Sequence, residues 1–398
     1  MAEATLKDVY ARLRADNPNP ALAAFAEKVA AGQGLSRVEA REVMGILASG
    51  QFAERQAAEF LVAMARKGVT AEELIGFAET VRERSRQAAA ALAEFEPSPG
   101  SPLAPFQPGG PQGAARPGAP VGTGLADTCG TGCDALGTIN VSTTIMFVLA
   151  AAGVRIAKHG NKAITSRSGS ADVLERLGVK LSPGPQVVAR CIREVGVGFL
   201  YAPGFHESFR HVQGVRRALM EAGVKTIFNY LGPLTNPAGA RRQLVGVFRP
   251  EMTRLMAETL RGLGAERVLC VCGLVDSHPG QFLDEFSTLG ATETVELRAG
   301  ELTEHCYAPT DFGLRCATLE AVRGGDAEEN ARILLDILSG KERGPKRDIV
   351  ALNAGAGLFI CKDGVGSISE GIRMAEAYLD SGAALAKLEA LKKVSNEI

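Results

Sequence analysis

Apolar residues in the first part of the chain recur at the spacing of amphipathic helices. Between residues 4 and 86 they stand three and four positions apart, so they fall on one face of a helix. Ser36-Arg-Val-Glu39 and Thr70-Ala-Glu-Glu73 have the form of capping boxes, which mark where helices begin. Residues 1–86 are therefore predicted to form a small all-helical domain, joined by further helices from about residues 185–225.

The helical pattern stops after residue 86. Residues 96–124 are dominated by proline and glycine, with runs such as Pro97-Ser-Pro-Gly-Ser-Pro102. A segment of this composition cannot form a hydrogen-bonded ladder and has no apolar face to bury. Residues 87–125 are therefore predicted to be a linker or a surface-loop insertion.

From residue 126 onward, short apolar runs alternate with longer amphipathic stretches. The apolar runs predict strands at residues 154–157, 226–228, 244–247, 267–272 and 294–297. The amphipathic stretches predict helices at residues 144–152, 168–178, 251–263, 326–339, 348–360 and 367–393. Alternation of this kind favours a mostly parallel sheet flanked by helices. The predicted fold class is α/β, with a small N-terminal helical lobe and a large lobe over residues 126–398.

A glycine-rich turn carries the first candidate for chemistry. Its sequence is Gly130-Thr-Gly-Cys-Asp134, and Asn140-Val-Ser-Thr143 follows it at the start of a predicted helix. Small residues let main-chain N–H groups approach a phosphate closely, and a helix N-terminus adds positive potential there. The polar side chains of both motifs would find partners on an anionic ligand. The pattern therefore favours a phosphate site over a turn without a ligand.

A second polar motif, Lys158-His-Gly-Asn161, directly follows a predicted strand. Residues at the carboxyl ends of strands face the ligand crevice in open α/β sheets. Lysine offers a point charge for phosphate, whereas histidine and asparagine offer directed hydrogen bonds to an acceptor molecule. The serine-rich segment 166–172 precedes another predicted helix and suits either a helix cap or a second phosphate nest.

Two pairs of adjacent charged residues are further candidates for ligand binding. Asp284-Glu285 follows the apolar pair Phe282-Leu283. Mg²⁺ in phosphate sites prefers one or two carboxylates together with substrate oxygens. Arg216-Arg217 lies in a predicted helix, and an arginine fork can bind a carboxylate through two hydrogen bonds. A solvated surface position is the alternative for both pairs.

Composition narrows the classes of function. The net charge of −1 gives no general attraction to nucleic acid or to anionic membranes, so neither is an expected partner. No apolar run reaches the roughly 18 residues of a membrane span, and the N-terminal segment lacks the features of a signal peptide. The eight cysteines are scattered without paired CxxC motifs, as is usual for a reducing compartment. A cytoplasmic location is expected.

In their order along the chain, these motifs resemble the anthranilate phosphoribosyltransferase family, which has the nucleoside phosphorylase type II fold. The matching segments are Gly130-Thr-Gly-Cys-Asp134, Asn140-Val-Ser-Thr143, Lys158-His-Gly-Asn161, Ser168-Gly-Ser-Ala-Asp-Val-Leu174, Phe228-Asn-Tyr-Leu-Gly-Pro-Leu-Thr-Asn-Pro237 and Leu283-Asp-Glu285. The resemblance implies transfer of the phosphoribosyl group of 5-phosphoribosyl 1-pyrophosphate (PRPP) to the amine of anthranilate, a step of tryptophan biosynthesis. It also implies a homodimer.

The resemblance implies roles for individual residues. No covalent nucleophile is implied, because an aromatic amine is already nucleophilic. The implied PRPP site consists of Gly130, Thr131, Gly132, Asp134, Thr138, Asn140, Ser142, Thr143, Lys158 and Ser170. The implied acceptor site consists of His159, Asn161, His206 and Arg216, with Arg216 facing the anthranilate carboxylate. The implied ligands of the cofactor Mg²⁺ are Asp284, Glu285 and Ser142.

Several positions depart from the pattern of that family. Cys133 and Phe282 stand where the family usually has glycine, Glu207 stands where it usually has proline, and the segment after Arg216 is longer than usual. These departures keep open a paralogue of the same fold that acts on a different aromatic amine or on a nucleobase. A non-catalytic relative that binds nucleic acid would need a basic surface, which the near-neutral charge does not favour.

Overall fold

The computed structural model describes residues 3–93, 124–132, 134, 136–163 and 167–397. Most of the segment predicted to be a linker or insertion lies outside these residues, as does Cys133. The chain divides into two compact units. The helical unit consists of Met1–Arg86, His206–Thr235 and Glu258–Leu263, and the α/β unit consists of Gln87–Phe205, Asn236–Ala257 and Gly264–Ile398.

The secondary structure of the described residues runs as follows. The helices are α1 (Glu3–Arg12), α2 (Pro20–Ala30), α3 (Arg37–Ser49), α4 (Glu54–Lys67), α5 (Ala71–Ala93), α6 (Val141–Ala151), α7 (Ser170–Arg176), α8 (Pro185–Glu194), α9 (Ala202–Phe205), α10 (Gln213–Glu221), α11 (Phe228–Leu234), α12 (Glu251–Gly262), α13 (Ala327–Leu338), α14 (Pro345–Cys361), α15 (Ile368–Asp380) and α16 (Ala383–Asn396). The strands are β1 (Leu125–Gly130), β2 (Arg155–Gly160), β3 (Val197–Tyr201), β4 (Arg242–Gly246), β5 (Arg267–Leu274), β6 (Phe282–Leu283), β7 (Thr292–Arg298) and β8 (Glu301–Tyr307).

Both predicted capping boxes are present in the helical unit. At the start of α3, the carboxylate of Glu39 accepts a hydrogen bond from the Ser36 N–H at 2.8 Å, and the Ser36 hydroxyl accepts one from the Glu39 N–H at 3.3 Å. At the start of α5, Glu73 and Thr70 exchange the same pair of bonds. These bonds satisfy main-chain donors that the first helical turn leaves without partners.

The helical unit buries the apolar stripe that the sequence predicted. Its fully buried residues come from several helices and include Leu22, Met44, Leu47, Phe60, Leu61, Met64, Leu74 and Phe77. Such burial contributes roughly 25 cal/mol for each Å² of apolar surface removed from water, which is the main favourable term for a bundle of this kind.

The boundary of the helices that join this unit differs from the prediction. Residues 185–205 belong to the α/β unit, and only residues from His206 onward belong to the helical unit. The reason is packing, because Val188 and Ile192 of α8 share a buried cluster with Leu200 of β3. The strand predicted at residues 226–228 is also wrong, since α11 begins at Phe228.

The α/β unit contains the predicted, mostly parallel sheet. The strand order is β3-β2-β1-β4-β5-β7-β8, and β6 pairs with β5 beside this path. The first five strands of this order are mutually parallel, whereas β7 and β8 are antiparallel additions. Helices of this unit supply the apolar cover, among them α14, which is buried over nearly its whole length. The fold class is confirmed.

The strand order determines where a ligand can enter. The order reverses between β1 and β4, and ligands of open α/β sheets bind at such a reversal, outside the carboxyl ends of the strands. Gly130 of β1 pairs with Gly246 of β4 at that edge. The polar motifs that follow β1 and β2 in the sequence therefore begin at one edge of the sheet.

No helix among the described residues is long and apolar enough to cross a membrane.

Candidate functional site

Asp284 lies directly over the carboxyl ends of β1 and β4. A Cβ atom at Gly130 would lie 2.8 Å from Oδ2 of Asp284, and one at Gly246 would overlap the main-chain oxygen of Asp284. Real Cβ atoms do not approach other atoms so closely, so a larger residue at Gly246 would clash with the main chain and one at Gly130 would displace the Asp284 carboxylate. The two glycines thus allow an acidic side chain to rest on the sheet where the strand order reverses.

The glycine-rich turn binds this acid through hydrogen bonds. Oδ2 of Asp284 accepts a bond from the main-chain N–H of Gly132 at 2.6 Å and one from the Thr131 hydroxyl at 3.3 Å. The neighbouring Glu285 accepts a bond from the main-chain N–H of Ser142 at 3.1 Å. Ser142 lies in the first turn of α6, so the positive end of that helix faces the glutamate.

A third acid, Asp134, interacts with Asp284. Burial raises the pKa of Asp134 well above its ordinary value, and the negative charge of Asp284 raises it further. Burial and the charge of Asp284 likewise raise the pKa of Glu285 from 4.5 to about 8, against the opposing effect of Lys158. Mutual repulsion among these carboxylates disfavours their full ionisation, and a nearby cation would favour it.

Lys158 supplies one positive charge to this region. Lys158 lies near the carboxyl end of β2, directly before His159, and only 2% of its surface is exposed. Its Nζ donates hydrogen bonds to the main-chain oxygen of Thr128 and, at 3.3 Å, to the Ser142 hydroxyl. The lysine therefore connects the ends of β1 and β2 to the first turn of α6.

Thr143 carries an unsatisfied polar atom at the same helix start. Its side chain is buried, and Oγ1 has no hydrogen-bond partner in the part of the chain that the structure describes. Buried hydroxyl groups without a partner are rare in folded proteins and call for a ligand, a water or an ion. The predicted helix began at residue 144, whereas α6 begins at Val141, which brings Ser142 and Thr143 into its first turn.

The remaining residues of the predicted PRPP site lie around this start of α6. The amide of Asn140 donates to the main-chain oxygen of Ser168 at 3.3 Å. Thr138 forms an isolated bridge with Arg323. The Ser170 hydroxyl donates to the main-chain oxygen of Asn161 at 3.3 Å. These contacts connect the glycine-rich turn, the serine-rich segment and the end of β2.

The serine-rich segment ends in a helix cap. Oδ2 of Asp172 accepts hydrogen bonds from the main-chain N–H groups of Gly169 at 2.9 Å and Ala163 at 2.8 Å. The cap that the sequence offered as one alternative is therefore present at α7. Ser166, within the same segment, lies outside the described residues.

The predicted acceptor residues fall in both units. His159 and Asn161 follow Lys158 in the α/β unit, and a buried carboxylate, Asp127, accepts a hydrogen bond from the His159 main-chain N–H at 3.3 Å. In the helical unit, Nδ1 of His206 lies 2.8 Å from the Ser85 hydroxyl.

Arg216 and Arg217 differ sharply in their surroundings. The guanidinium of Arg216 lies 4.5 Å from the centre of the Phe228 ring, and no carboxylate among the described residues pairs with it. Removal from water lowers the pKa of Arg216 to about 10. Arg217 is exposed and forms an ordinary surface pair with Glu221 at 3.0 Å. Of the two arginines, only Arg216 has no carboxylate partner among the described residues.

The oxygen donors of this site suit a hard divalent cation. Asp284, Glu285 and the Ser142 hydroxyl offer oxygen atoms only, which is the donor type that Mg²⁺ prefers. Among the described residues, no group of three or more His, Cys, Asp or Glu side chains is arranged to hold a metal ion by itself. That arrangement fits a cation that keeps substrate and water oxygens among its ligands.

Several buried residues that support the site were not predicted. Asn236 donates to Asp127 and to the main-chain oxygen of Ala157, each at 2.7 Å, and so holds the strand that carries Lys158. Asn353 of α14 donates to the main-chain oxygen of Phe286 and accepts from its N–H, both at 2.8 Å, directly after Asp284-Glu285. The available signal was a lone asparagine within an otherwise apolar helical run, Val350-Ala-Leu-Asn-Ala354.

Comparison with known proteins identifies related sequences over nearly the whole chain. Residues 122–385 match the α/β domain of a glycosyl transferase family, and residues 24–85 match its helical bundle domain. Anthranilate phosphoribosyltransferase of Rubrobacter xylanophilus is 45% identical over 371 residues, which cover 93% of this chain and 96% of that protein. The protein of the same name from Petrotoga mobilis is 39% identical, covering 94% of this chain and 96% of its own.

Solved structures agree with these sequences. The crystal structure of anthranilate phosphoribosyltransferase from Thermus thermophilus has a TM-score of 0.76 at 38% identity and covers 94% of this chain and 99% of that one. The Saccharomyces cerevisiae protein of the same name, in complex with PRPP and Mg, has a TM-score of 0.77 at 26% identity, covering 95% of this chain and 98% of its own.

The raised pKa of Glu285 predicts how the stability of the ligand-free protein depends on pH. Below about pH 4.5 the folded and unfolded states both hold this proton, and between 4.5 and about 8 only the folded state holds it. The free energy of unfolding should therefore fall as pH rises through this window. Thermal melts of Glu285→Gln should show a flatter profile than wild type, and Glu293→Gln, at an exposed site on β7, should not. Equal slopes for wild type and Glu285→Gln would contradict the assignment.

Proposed function

Because the chain belongs to the anthranilate phosphoribosyltransferase family, we propose that it transfers the phosphoribosyl group of PRPP to the amine of anthranilate and releases pyrophosphate, a step of tryptophan biosynthesis. The observation that carries this proposal is the group of acids formed by the buried Asp284 and the partly buried Asp134 and Glu285, beside the buried Lys158. It lies where a parallel sheet reverses its strand order, which is where such folds bind phosphorylated ligands.

We propose that PRPP binds along the glycine-rich turn and the start of α6. The residues of this donor site are Gly130, Thr131, Gly132, Asp134, Thr138, Asn140, Ser142, Thr143, Lys158 and Ser170. Three features support the assignment: the buried ammonium of Lys158, the unpaired hydroxyl of Thr143, and the N-terminus of a helix of 11 residues. A phosphate oxygen would accept from Thr143 and interact favourably with the helix end.

We further propose that Asp284 and Glu285, with the Ser142 hydroxyl, hold Mg²⁺ together with pyrophosphate oxygens. The raised pKa values of Asp134 and Glu285 support a cation here, because a bound cation would offset the repulsion among the carboxylates. When bound, Mg²⁺ would neutralise negative charge that develops on the leaving pyrophosphate.

The chain's own residues supply position and charge to the reaction. Displacement at the anomeric carbon builds positive charge on the ribose and negative charge on the pyrophosphate. Lys158 and the N–H groups at the start of α6 would stabilise the negative charge on the pyrophosphate, and the carboxylates of Asp284 and Glu285 would favour a positive charge beside them. No nucleophilic side chain is required, since the amine of anthranilate attacks directly. Holding both substrates in line supplies much of the remaining rate enhancement.

For the acceptor, we propose His159, Asn161, His206 and Arg216. The support for Arg216 is its charge, which has no acid partner among the described residues and so suits the carboxylate of anthranilate. His159 and Asn161 follow the lysine at the end of β2, where directed hydrogen bonds can orient the amine. A homodimer, a cytoplasmic location and the absence of a nucleic-acid partner stay predictions.

Turnover tests the proposed reaction and the metal site together. Purified protein with PRPP and Mg²⁺ should consume anthranilate, which is measured by the loss of its fluorescence. Asp284→Ala/Glu285→Ala should lower the rate by at least about 100-fold, because charge stabilisation of the leaving group is lost. Glu293→Ala, which removes an exposed acid of β7, should leave the rate unchanged.

The outcomes of this assay point to different failures. No consumption of anthranilate, with Mg²⁺-dependent PRPP binding intact, would contradict anthranilate as the acceptor and favour another aromatic amine or a nucleobase. A fully active double variant would contradict the proposed metal site.

Arginine substitution tests the recognition of the acceptor carboxylate. Arg216→Ala should raise the KM for anthranilate by about tenfold or more, the size of effect seen when a charge-assisted hydrogen bond is lost. The KM for 2-aminobenzamide, which has no carboxylate, should change much less. Arg217→Ala serves as the control, since that side chain pairs with Glu221 on the surface. Equal effects on both acceptors would show that Arg216 does not bind the carboxylate.

A further inference from the structure

A buried asparagine on α13, Asn330, forms a hydrogen bond with Asn140 of the proposed donor site. Only 4% of the surface of Asn330 is exposed. Its Nδ2 donates a hydrogen bond to Oδ1 of Asn140 at 2.8 Å, and its Oδ1 accepts one from the main-chain N–H of Gly325 at 2.8 Å. Asn140 in turn donates from Nδ2 to the main-chain oxygen of Ser168 at 3.3 Å. We name this series of three bonds the amide relay.

Main-chain groups at its two ends fix the direction of the amide relay. The Gly325 N–H can only donate, so it must face the oxygen of Asn330. The nitrogen of Asn330 then faces Asn140, which must present its own oxygen. The Ser168 carbonyl can only accept, so it requires the nitrogen of Asn140. Each amide therefore has one favourable orientation.

The orientation of Asn140 matters because one of its donors is left over. The amide nitrogen has two N–H groups, and only one of them finds an acceptor among the described residues, the Ser168 carbonyl. Asn140 is partly exposed at the start of α6, beside Ser142 and Thr143 of the proposed donor site. With the amide relay in place, the second N–H has no acceptor among the described residues and is available to an oxygen of PRPP.

The main chain around the amide relay is held by separate bonds. The Gly324 N–H donates to the oxygen of Gly137 at 2.9 Å, and the Ile139 N–H donates to the oxygen of Val322 at 3.2 Å. A Cβ atom at Gly324 would lie 2.5 Å from Oδ1 of Asn330. The two main-chain bonds connect both loops without the side-chain amides. A change at Asn330 that keeps its size should therefore alter hydrogen-bond direction and leave the loops in place.

We propose that Asn330 is a positioning residue for the donor substrate, acting through the amide of Asn140. This inference rests on the proposed function, in that it takes PRPP to be the ligand at the start of α6. Asn330 itself does not contact the substrate. It fixes which end of the Asn140 amide is presented, so that a donor and not an acceptor faces the anionic ligand.

Asn330→Asp tests the proposal with almost no change in shape. The new carboxylate can still accept from Gly325, but it presents an oxygen to Oδ1 of Asn140. Asn140 must then either face this repulsion or turn over and oppose the Ser168 carbonyl. We expect the Kd of PRPP in the presence of Mg²⁺ to rise about tenfold, the usual effect of losing a hydrogen bond to a charged group. The KM for anthranilate should stay within about twofold, because the Asn330 side chain bonds only to Gly325 and Asn140 among the described residues and to none of the proposed acceptor residues.

Arg332→Gln is the matched control for charge. It lowers the net charge by one on the same helix, as Asn330→Asp does, at an exposed position. It should leave PRPP affinity and turnover unchanged. Titration calorimetry with PRPP and Mg²⁺ gives the affinity, and thermal melts show whether each variant is folded.

A double-mutant cycle separates positioning from a general structural role. In an Asn140→Ala background, Asn330→Asp should cause little further loss of PRPP affinity, because the group through which it acts is gone. If Asn330→Asp does not fold, Asn330→Ala carries the same cycle. An undiminished effect in the Asn140→Ala background would overturn the proposal, and so would unchanged PRPP affinity in the folded Asn330 variant.

The same titrations distinguish failure of this inference from failure of the proposed function. Wild-type protein that binds PRPP but does not consume anthranilate contradicts the acceptor and leaves the cycle valid, since the cycle is measured by donor binding alone. Wild-type protein that binds no PRPP in the presence of Mg²⁺ contradicts the proposed donor site, and with it the role of Asn330.

Discussion

Three carboxyl groups, those of the buried Asp284 and the partly buried Asp134 and Glu285, lie close to one buried lysine, and the rest of the candidate site follows from that charge imbalance. Burial and mutual repulsion raise the pKa values of Asp134 and Glu285. Hydrogen bonds from the Gly132 and Ser142 N–H groups offset part of the cost. The group is poised to gain stability from a divalent cation, which is the property that a site for a metal-chelated pyrophosphate needs.

The sheet makes this concentration of acid possible. Its strand order reverses between β1 and β4, and glycine stands at the paired positions Gly130 and Gly246, so the chain at Asp284 can approach both strands closely. Asparagines outside the predicted site residues then hold the loops: Asn236 bonds beside Lys158, Asn353 bonds Phe286, and Asn330 bonds Asn140. Side chains that touch the proposed substrates are thus positioned by a second group of buried amides.

Much of the fold could be predicted from the sequence because its signals are local. The capping boxes at Ser36 and Thr70 were correct, and four of the five predicted strands lie within or overlap observed ones. The predicted helix at 367–393 contains two helices, because Gly382 adopts a left-handed conformation between α15 and α16. The edge strand β8 was missed, since its side chains are mostly exposed and carry no apolar alternation.

Other features depend on contacts between distant residues and leave little trace in the sequence. β3 was predicted to be helical because it follows α8 directly. Gly198 of β3 allows α8 to pack closely, because a Cβ atom at this position would lie 2.6 Å from Ile192. The motifs predicted which residues would gather at the strand ends, but their roles toward substrate stay predictions. The supporting asparagines could not be predicted as a group, because each acts across a separation of tens to nearly 200 residues.

Binding of a divalent cation by Asp284 and Glu285 together with PRPP is the proposal on which the rest of the mechanism depends. A crystal structure with PRPP and Mn²⁺, a substitute for Mg²⁺ whose position anomalous scattering reveals, tests it most directly. We expect an anomalous peak within coordination distance of carboxylate oxygens of Asp284 or Glu285, with pyrophosphate oxygens completing the shell. PRPP bound at the start of α6 with no peak beside these carboxylates, or with the peak elsewhere on the chain, would contradict it.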